Sequence, residues 1–293
     1  GDTSYTNITA CDSVVWNGTT YDSSGTYSYS SPSASNNYSM SFDGVDDSVV
    51  FNGINFNSDS LYTYELSFMT YSSSSYSYLF CNQNNSGLFN WAEMIPSGQG
   101  FKIRVGSSAF GGANACFKDS QVSFSINTWY HIVVVISKNQ KKLIVNGISQ
   151  NLSNGTQNTC NTNYIIPSIF KLGEYFSGLI NHISIWDYEL SNNEIQQYMN
   201  CPPLGSETGL VGCWNFEEGS GTTAYDQTSN GNNGTINGAT YDTNVPPQSC
   251  VGGLTNVNGC DSVAVLNLTI AVCGCTDSLA NNYNPLATMD DSS

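Results

Sequence analysis

The stretch His131-Ile132-Val133-Val134-Val135-Ile136-Ser137, resumed after a polar turn by Leu143-Ile144-Val145-Asn146-Gly147, decides the fold class. β-Branched residues this dense are restricted at χ1 in a helix but pack well on a pleated surface. The closing Asn-Gly is the pair favoured by a type I′ hairpin turn, which needs positive φ at both central residues. Further out, Ile183-Ser184-Ile185-Trp186 alternates as a half-buried strand does, and Gly, Asn and Ser clusters separate other short strands. The long helical patterns that βαβ units require are absent, so the chain is expected to be all-β, an antiparallel sandwich. One helix is expected. Ser191 is placed to cap it, Glu194 three residues on completes a capping box, and Cys201-Pro202-Pro203 stops it near Met199.

The 293 residues include 23 acidic and 7 basic side chains, a formal charge of -16. Such a field repels phosphate, which excludes nucleic acid as a partner and a basic-patch attachment to membranes. No run approaches the roughly 20 apolar residues of a bilayer span, so membrane insertion is not expected. Apolar residues make up 39% of the chain, too many for global disorder. Every cation lies between Lys102 and Lys171, leaving both flanks without one.

Ten cysteines, mostly widely spaced, read as disulfides and hence as a secreted, extracellular or bacterial cell-surface location. The disulfide candidates are Cys11 with Cys260, and Cys81, Cys116, Cys201 and Cys250. With two histidines in the whole chain, His131 and His182, both in strand patterns, structural hydrogen bonding is expected of them and no zinc site.

The ends echo each other: Cys11-Asp12-Ser13-Val14 recurs as Cys260-Asp261-Ser262-Val263. Either these open successive modules, or they are halves of one small β-domain into which the middle is inserted. Insertion is favoured, because neither end is long enough to bury a sandwich face alone. The expected division is 1–35 and 251–272 as the two halves, 36–250 as the sandwich, and 273–293 as a short loop-rich tail.

The middle resembles laminin-G-like, concanavalin A-like jelly rolls. The motifs that carry the resemblance are Tyr38 to Asp47 (with Phe42-Asp43-Gly44-Val45-Asp46-Asp47), Tyr62 to Phe68, Asn127 to Val133, Leu143 to Gly147, Lys171 to Glu174, and Gly178 to Trp186. A further piece, Gly209 to Gly221 and on to Ile236, is similar to the segment that precedes Phe-Asp-Gly in that family; here it follows, which implies a permuted jelly roll completed by those strands. Residues 1–30 and 254–270 are similar to Ig-like repeats of very large bacterial surface proteins, often of the type IX export route. Gly274 to Ser293 is similar to a thrombospondin-type-3-like motif whose closing Cys would lie beyond Ser293, and this resemblance implies a piece of a longer array.

Among candidate chemistries, glycosidases of this scaffold need paired carboxylates. Asp187 and Glu189 have a suitable spacing but fall in a turn, so no catalytic site is expected. Calcium is the stronger expectation, as a structural ion, because hard cations want clustered oxygens. Asp43, Asp46 and Asp47 crowd three carboxylates into five residues, and permutation would bring Glu217, Glu218 or Asp226 alongside; Asp277, Asn282, Asn284, Asp290 and Asp291 form a weaker cluster in the tail. The acidic loop that pentraxin relatives use after the strand of Lys171 to Glu174 is missing. Carbohydrate-stacking candidates are Tyr76, Tyr78, Trp91 and Tyr175. Ser13 and Ser262, in Asp-Ser-Val contexts, resemble bacterial O-glycosylation signals.

The function expected is a non-catalytic extracellular adhesion or structural module, one unit of a bacterial surface fibre or giant adhesin, stacking head to tail on neighbouring copies. The alternative is a carbohydrate-binding module of a secreted glycoside hydrolase, with extracellular glycans as partners.

Overall fold

A computed structural model describes residues 3–16, 19–30, 36–57, 60–84, 87–98, 100–107, 116–137, 140–153, 169–248 and 263–290. The chain divides into two compact units: Ala34–Gln248, and the two ends Gly1–Ser33 and Ser249–Ser293 together.

The larger unit is a sandwich of two antiparallel sheets. In one sheet the strands run Ile148–Ser149, Lys141–Val145, Trp129–Ile136, Tyr62–Thr70, Ser177–Trp186, Ser39–Asp43 and Thr240–Asp242. The other runs Cys116–Asp119, Gly100–Ser107, Gly87–Ser97, Ser77–Asn84, Phe170–Leu172, Ser48–Phe51, Gly234–Asn237 and Thr223–Ala224. Segment 209–242 completes both sheets: Leu210–Trp214 pairs with Ser177–Trp186, Gly234–Asn237 with Ser48–Phe51, and Thr240–Asp242 with Ser39–Asp43. The chain is therefore an all-β jelly-roll sandwich in which late residues supply strands beside early ones.

Period-2 alternation explains the core. From Tyr62–Thr70 the side chains Tyr62, Tyr64, Leu66 and Phe68 enter the space between the sheets, as do Ile132, Val134 and Ile136 from Trp129–Ile136. The opposite face is covered too, which is why the run at 131–137 is continuously apolar instead of alternating. There Val133, Ile144 and Trp186 form a second cluster with Leu190, Ile195, Tyr198, Leu210 and Cys213. The helix Asn192–Asn200 carries Ile195 and Tyr198 into that cluster, and its Ser191 cap and Glu194 make both bonds of the capping box. Far from an ornament on the sandwich, the helix seals its outer face. Asn146 and Gly147 have φ of 48° and 74°, as the hairpin turn demands.

In the smaller unit Val263–Ile270 is central, parallel to Thr3–Ala10 and antiparallel to Gly25–Ser30. Cys11 is bonded to Cys273, which corrects the expected Cys11–Cys260 pairing; Val263 to Ile270 lies in register with Thr3 to Ala10, so the residues just beyond both strands meet. Cys81 is a buried thiol, against the expectation of a disulfide, and Cys201 is disulfide-bonded. Cys250, Cys260, Ser262 and Asp291 lie outside the described residues, as does the side chain of Cys116. Among the described residues no helix is long and apolar enough to cross a membrane.

Candidate functional site

The turn Asp43 to Asp47 joins Ser39–Asp43 of one sheet to Ser48–Phe51 of the other, so it sits on the rim of the sandwich. Its shape comes from two carboxylates bonding their own backbone. Asp43 Oδ1 accepts from the Val45 amide at 2.8 Å and Asp47 Oδ2 from the Asp43 amide at 2.8 Å. Gly44, at φ +86°, passes Ser177 so closely that a Cβ would lie 2.9 Å from that residue's Cβ. The three carboxylates of Asp43, Asp46 and Asp47 offer oxygens all within 4.8 Å of one another. Burial pushes the Asp47 carboxyl up; the Asp43 amide works against this, while the Asp43 and Asp46 charges add to it. Donor type and crowding fit a hard cation such as calcium.

Beside this turn opens a cleft of about 250 Å³ lined by Asp43, Gly44, Ser72, Ser74, Ser75, Ser77, Tyr175 and Ser177. The serine loop is pinned at both ends to the turn after Phe170–Leu172, by the Tyr71 amide on Ser177 O at 2.9 Å and the Tyr78 amide on Glu174 O at 2.9 Å. Tyr175 is held at φ +57°, an uncommon conformation for a bulky residue, and the residue stays 55% exposed. Phe176 next to it is buried in the core. The strained backbone thus turns one aromatic outward while its neighbour turns in.

The other residues singled out in the sequence fall elsewhere. Tyr76 is exposed on the same serine loop, and Tyr78 is half-buried, its hydroxyl pushed up to about 12 by burial first and by the Glu93 charge next. Trp91 is buried flat against Gly106, where a Cβ would lie 2.2 Å from its ring, so it is structural and not a sugar platform. Glu217, Glu218 and Asp226 do not join the acidic cluster. Glu217 accepts from the Asn37 and Tyr38 amides, Glu218 from the Tyr225 amide, and Asp226 from the Cys213, Thr228 and Asn232 amides. These carboxylates tie loops together. In the tail, Asp277 and Asn284 accept from the Leu279 and Leu286 amides, and among the described residues the tail contributes to no cluster of three or more His, Cys, Asp or Glu side chains. Glu189 bonds Lys142 and Gln140, whereas Asp187 lines a separate cleft with Asn55, Asn230 and Asn232. The serines of the rim cleft were not singled out in the sequence; the run Ser72 to Ser75 between Tyr71 and Tyr76 was the available signal.

The laminin G family model described as the concanavalin A-like lectin/glucanases superfamily matches residues 43–196. A structure of a candidate carbohydrate-binding protein from Bacteroides ovatus superposes with a TM-score of 0.53 at 17% identity, over 73% of this chain and 62% of that one. The chain thus spans less than two thirds of that protein's length, and the likeness shows a shared fold. The native heptameric SAP-like pentraxin of Limulus polyphemus gives a TM-score of 0.49 at 13% identity over 74% of this chain and 98% of that one. Domains LG4-5 of the mouse laminin alpha1 chain give 0.39 at 13%, over 56% and 46%. No curated protein matches the sequence.

Proposed function

The chain belongs to the concanavalin A-like lectin/glucanase superfamily, and from that premise we propose that it is a non-catalytic glycan-binding module of an extracellular bacterial adhesion protein. The observation that carries this is the rim cleft. Serine hydroxyls and the Asp43 carboxylate supply hydrogen-bonding partners for a sugar's hydroxyls, and the exposed Tyr175 ring supplies a face on which a sugar ring stacks. Calcium held by Asp43, Asp46 and Asp47 would stiffen the turn that forms one wall of the cleft. The Cys11–Cys273 bond supports an oxidising compartment.

A structural role in a surface fibre is the second reading, favoured by one observation. In the smaller unit's three-stranded sheet, Thr3–Ala10 and Gly25–Ser30 are both edge strands, and open edges accept a strand from a neighbouring copy. Ser13, exposed beside Thr3–Ala10, remains the described candidate for glycosylation there.

A glycan array followed by calorimetric titration tests the first reading. A specific hit is expected, with Tyr175→Ala weakening it at least about tenfold while thermal unfolding stays unchanged. No glycan bound, or undiminished binding by Tyr175→Ala, counts against the cleft. Ordered filaments formed by the purified chain would favour the second reading.

A further inference from the structure

On the helix-covered face of the first sheet, three adjacent strands bring together Glu65, His131 and His182, all buried. His131 and His182 are both register partners of Ser67, one on each side of Tyr62–Thr70, and Glu65 lies two residues along the same face. The register on the His182 side shifts between Ile180 and His182. Ile180 belongs to the sandwich core opposite Phe68, so without the extra residue Asn181 the side chain at 182 would also point into the core. A bulge therefore re-aims His182 toward Glu65, and bulges recur where a side chain must be redirected for function.

The three groups present ligand atoms all within 4.8 Å of one another. Glu65 Oε1 lies 2.9 Å from His131 Nε2, and Oε2 accepts from Ser184 Oγ at 2.6 Å, which in turn accepts from Trp186 Nε1 at 2.9 Å. Two nitrogens, His131 Nδ1 and His182 Nε2, are buried without any hydrogen-bond partner. Asn181 is itself fixed, donating to Asn36 Oδ1 and Tyr38 O. His182 Nε2, buried without a partner beside a buried carboxylate whose ionic partner is a single imidazole, is costly unless something further binds.

We propose that Glu65, His131 and His182 form a buried site for a divalent transition metal ion of the zinc class. One carboxylate oxygen and one nitrogen from each histidine make three protein ligands, and water takes the fourth position, a donor set suited to tetrahedral zinc. Ligand atoms around such an ion stand roughly 3.2–3.6 Å apart, so pairs at the 4.8 Å limit close by roughly 1.2–1.6 Å and the Glu65–His131 pair, at 2.9 Å, opens slightly. Ser184 and Trp186 orient the carboxylate from behind, as outer partners of metal ligands do. The ion clamps three neighbouring strands and replaces the proton shared between Glu65 and His131. This site is separate from the rim cleft and does not depend on what binds there.

The test uses the tag-free full chain, stripped with chelator and dialysed. Cobalt(II) titration should produce visible ligand-field absorption of a four-coordinate site that saturates at one equivalent, and elemental analysis after zinc loading should retain one zinc per chain. Zinc at about a hundredfold excess over Kd should raise the unfolding midpoint of the larger unit by about 5–10 °C. His182→Gln and Glu65→Gln should each lose the cobalt spectrum, while Asp43→Asn with Asp46→Asn keeps it. If either of the first two variants fails to fold, the folded wild type decides alone: no saturating cobalt band and no retained zinc overturns the assignment. Undiminished binding by folded His182→Gln and Glu65→Gln overturns it as well.

Discussion

Trp214 packs its indole against Phe51 with ring centroids 4.2 Å apart, joining a strand from residues 210–214 to the core strand Ser48–Phe51. Both rings are fully buried, and the indole Nε1 donates to Asn232 O at 2.9 Å. The late segment is therefore part of the sandwich core. Trp214→Ala should destabilise the larger unit by about 3–5 kcal/mol, the usual range for truncating a buried aromatic. Urea unfolding measures it, and a loss under about 1 kcal/mol would mean that segment 209–242 is dispensable to the core.

Cys11 and Cys273 lie just past the paired ends of Thr3–Ala10 and Val263–Ile270, so their bond fastens the two chain ends of the smaller unit. A sheet of three strands has little core of its own, and removing a disulfide from so small a unit typically costs about 2–5 kcal/mol. Non-reducing peptide mapping should recover a Cys11–Cys273 linked peptide. Cys11→Ser with Cys273→Ser should lower an unfolding transition of the smaller unit and leave the sandwich transition in place. A linked Cys11–Cys260 peptide would refute the pairing.

How far the sequence reaches depends on the distance over which residues meet. The strand run at 131–137, the Asn146-Gly147 turn and the Ser191–Glu194 capping box are local, so side-chain chemistry announces them. The Asp43 to Asp47 turn is legible for the same reason: its carboxylates bond amides two and four residues away. Glu65 and His131 are 66 residues apart and meet through strand register, while His182 joins them through a bulge at Asn181 that no spacing signals. Counting two histidines speaks to composition alone and carries no information about the register that brings Glu65, His131 and His182 together. Glu217 and Asp226 misled in the opposite way: acidic side chains in a loop-rich segment suggest metal ligands, yet here they satisfy backbone amides that turns leave unpaired.

Lys141 sits at the first position of Lys141–Val145, 9% exposed, with Nζ donating to Ser137 O at 3.2 Å. Burial first, and the Lys118 charge second, bring its ammonium down to about 8 from an ordinary 10.5. The folded protein therefore releases this proton before the unfolded chain does. Between those two values the unfolded state binds more protons, so this group's contribution to stability rises with pH; below about 8 its penalty is fully present. Lys141→Met should stabilise the sandwich by about 1–3 kcal/mol at pH 7, at roughly 1.4 kcal/mol per tenfold shift less the lost hydrogen bond. The gap between variant and wild type should shrink from pH 8 upward. Denaturant unfolding across that range measures it, and a gap constant with pH would contradict the assignment.

Calcium at the rim has a distinguishable signature because of how Asp47 is held. Its carboxyl is pushed above the ordinary aspartate value by burial first and by the Asp43 and Asp46 charges, against the Asp43 amide, so in the metal-free protein ionising it costs more than in a free aspartate. A cation removes the repulsion and favours ionisation, and calcium binding should weaken as pH falls toward the raised Asp47 value. Asp46 is exposed, so Asp46→Asn relieves repulsion without opening a cavity. Its metal-free midpoint should equal or slightly exceed that of wild type, while calcium affinity drops about tenfold or more. Scanning calorimetry after EGTA treatment, with calcium and zinc returned separately, keeps this site apart from Glu65, His131 and His182. Calcium alone should raise the wild-type midpoint and fail to raise that of Asp46→Asn at the same concentration. Identical wild-type midpoints with and without calcium would leave Asp43, Asp46 and Asp47 as a solvated turn whose carboxylates serve only their own backbone.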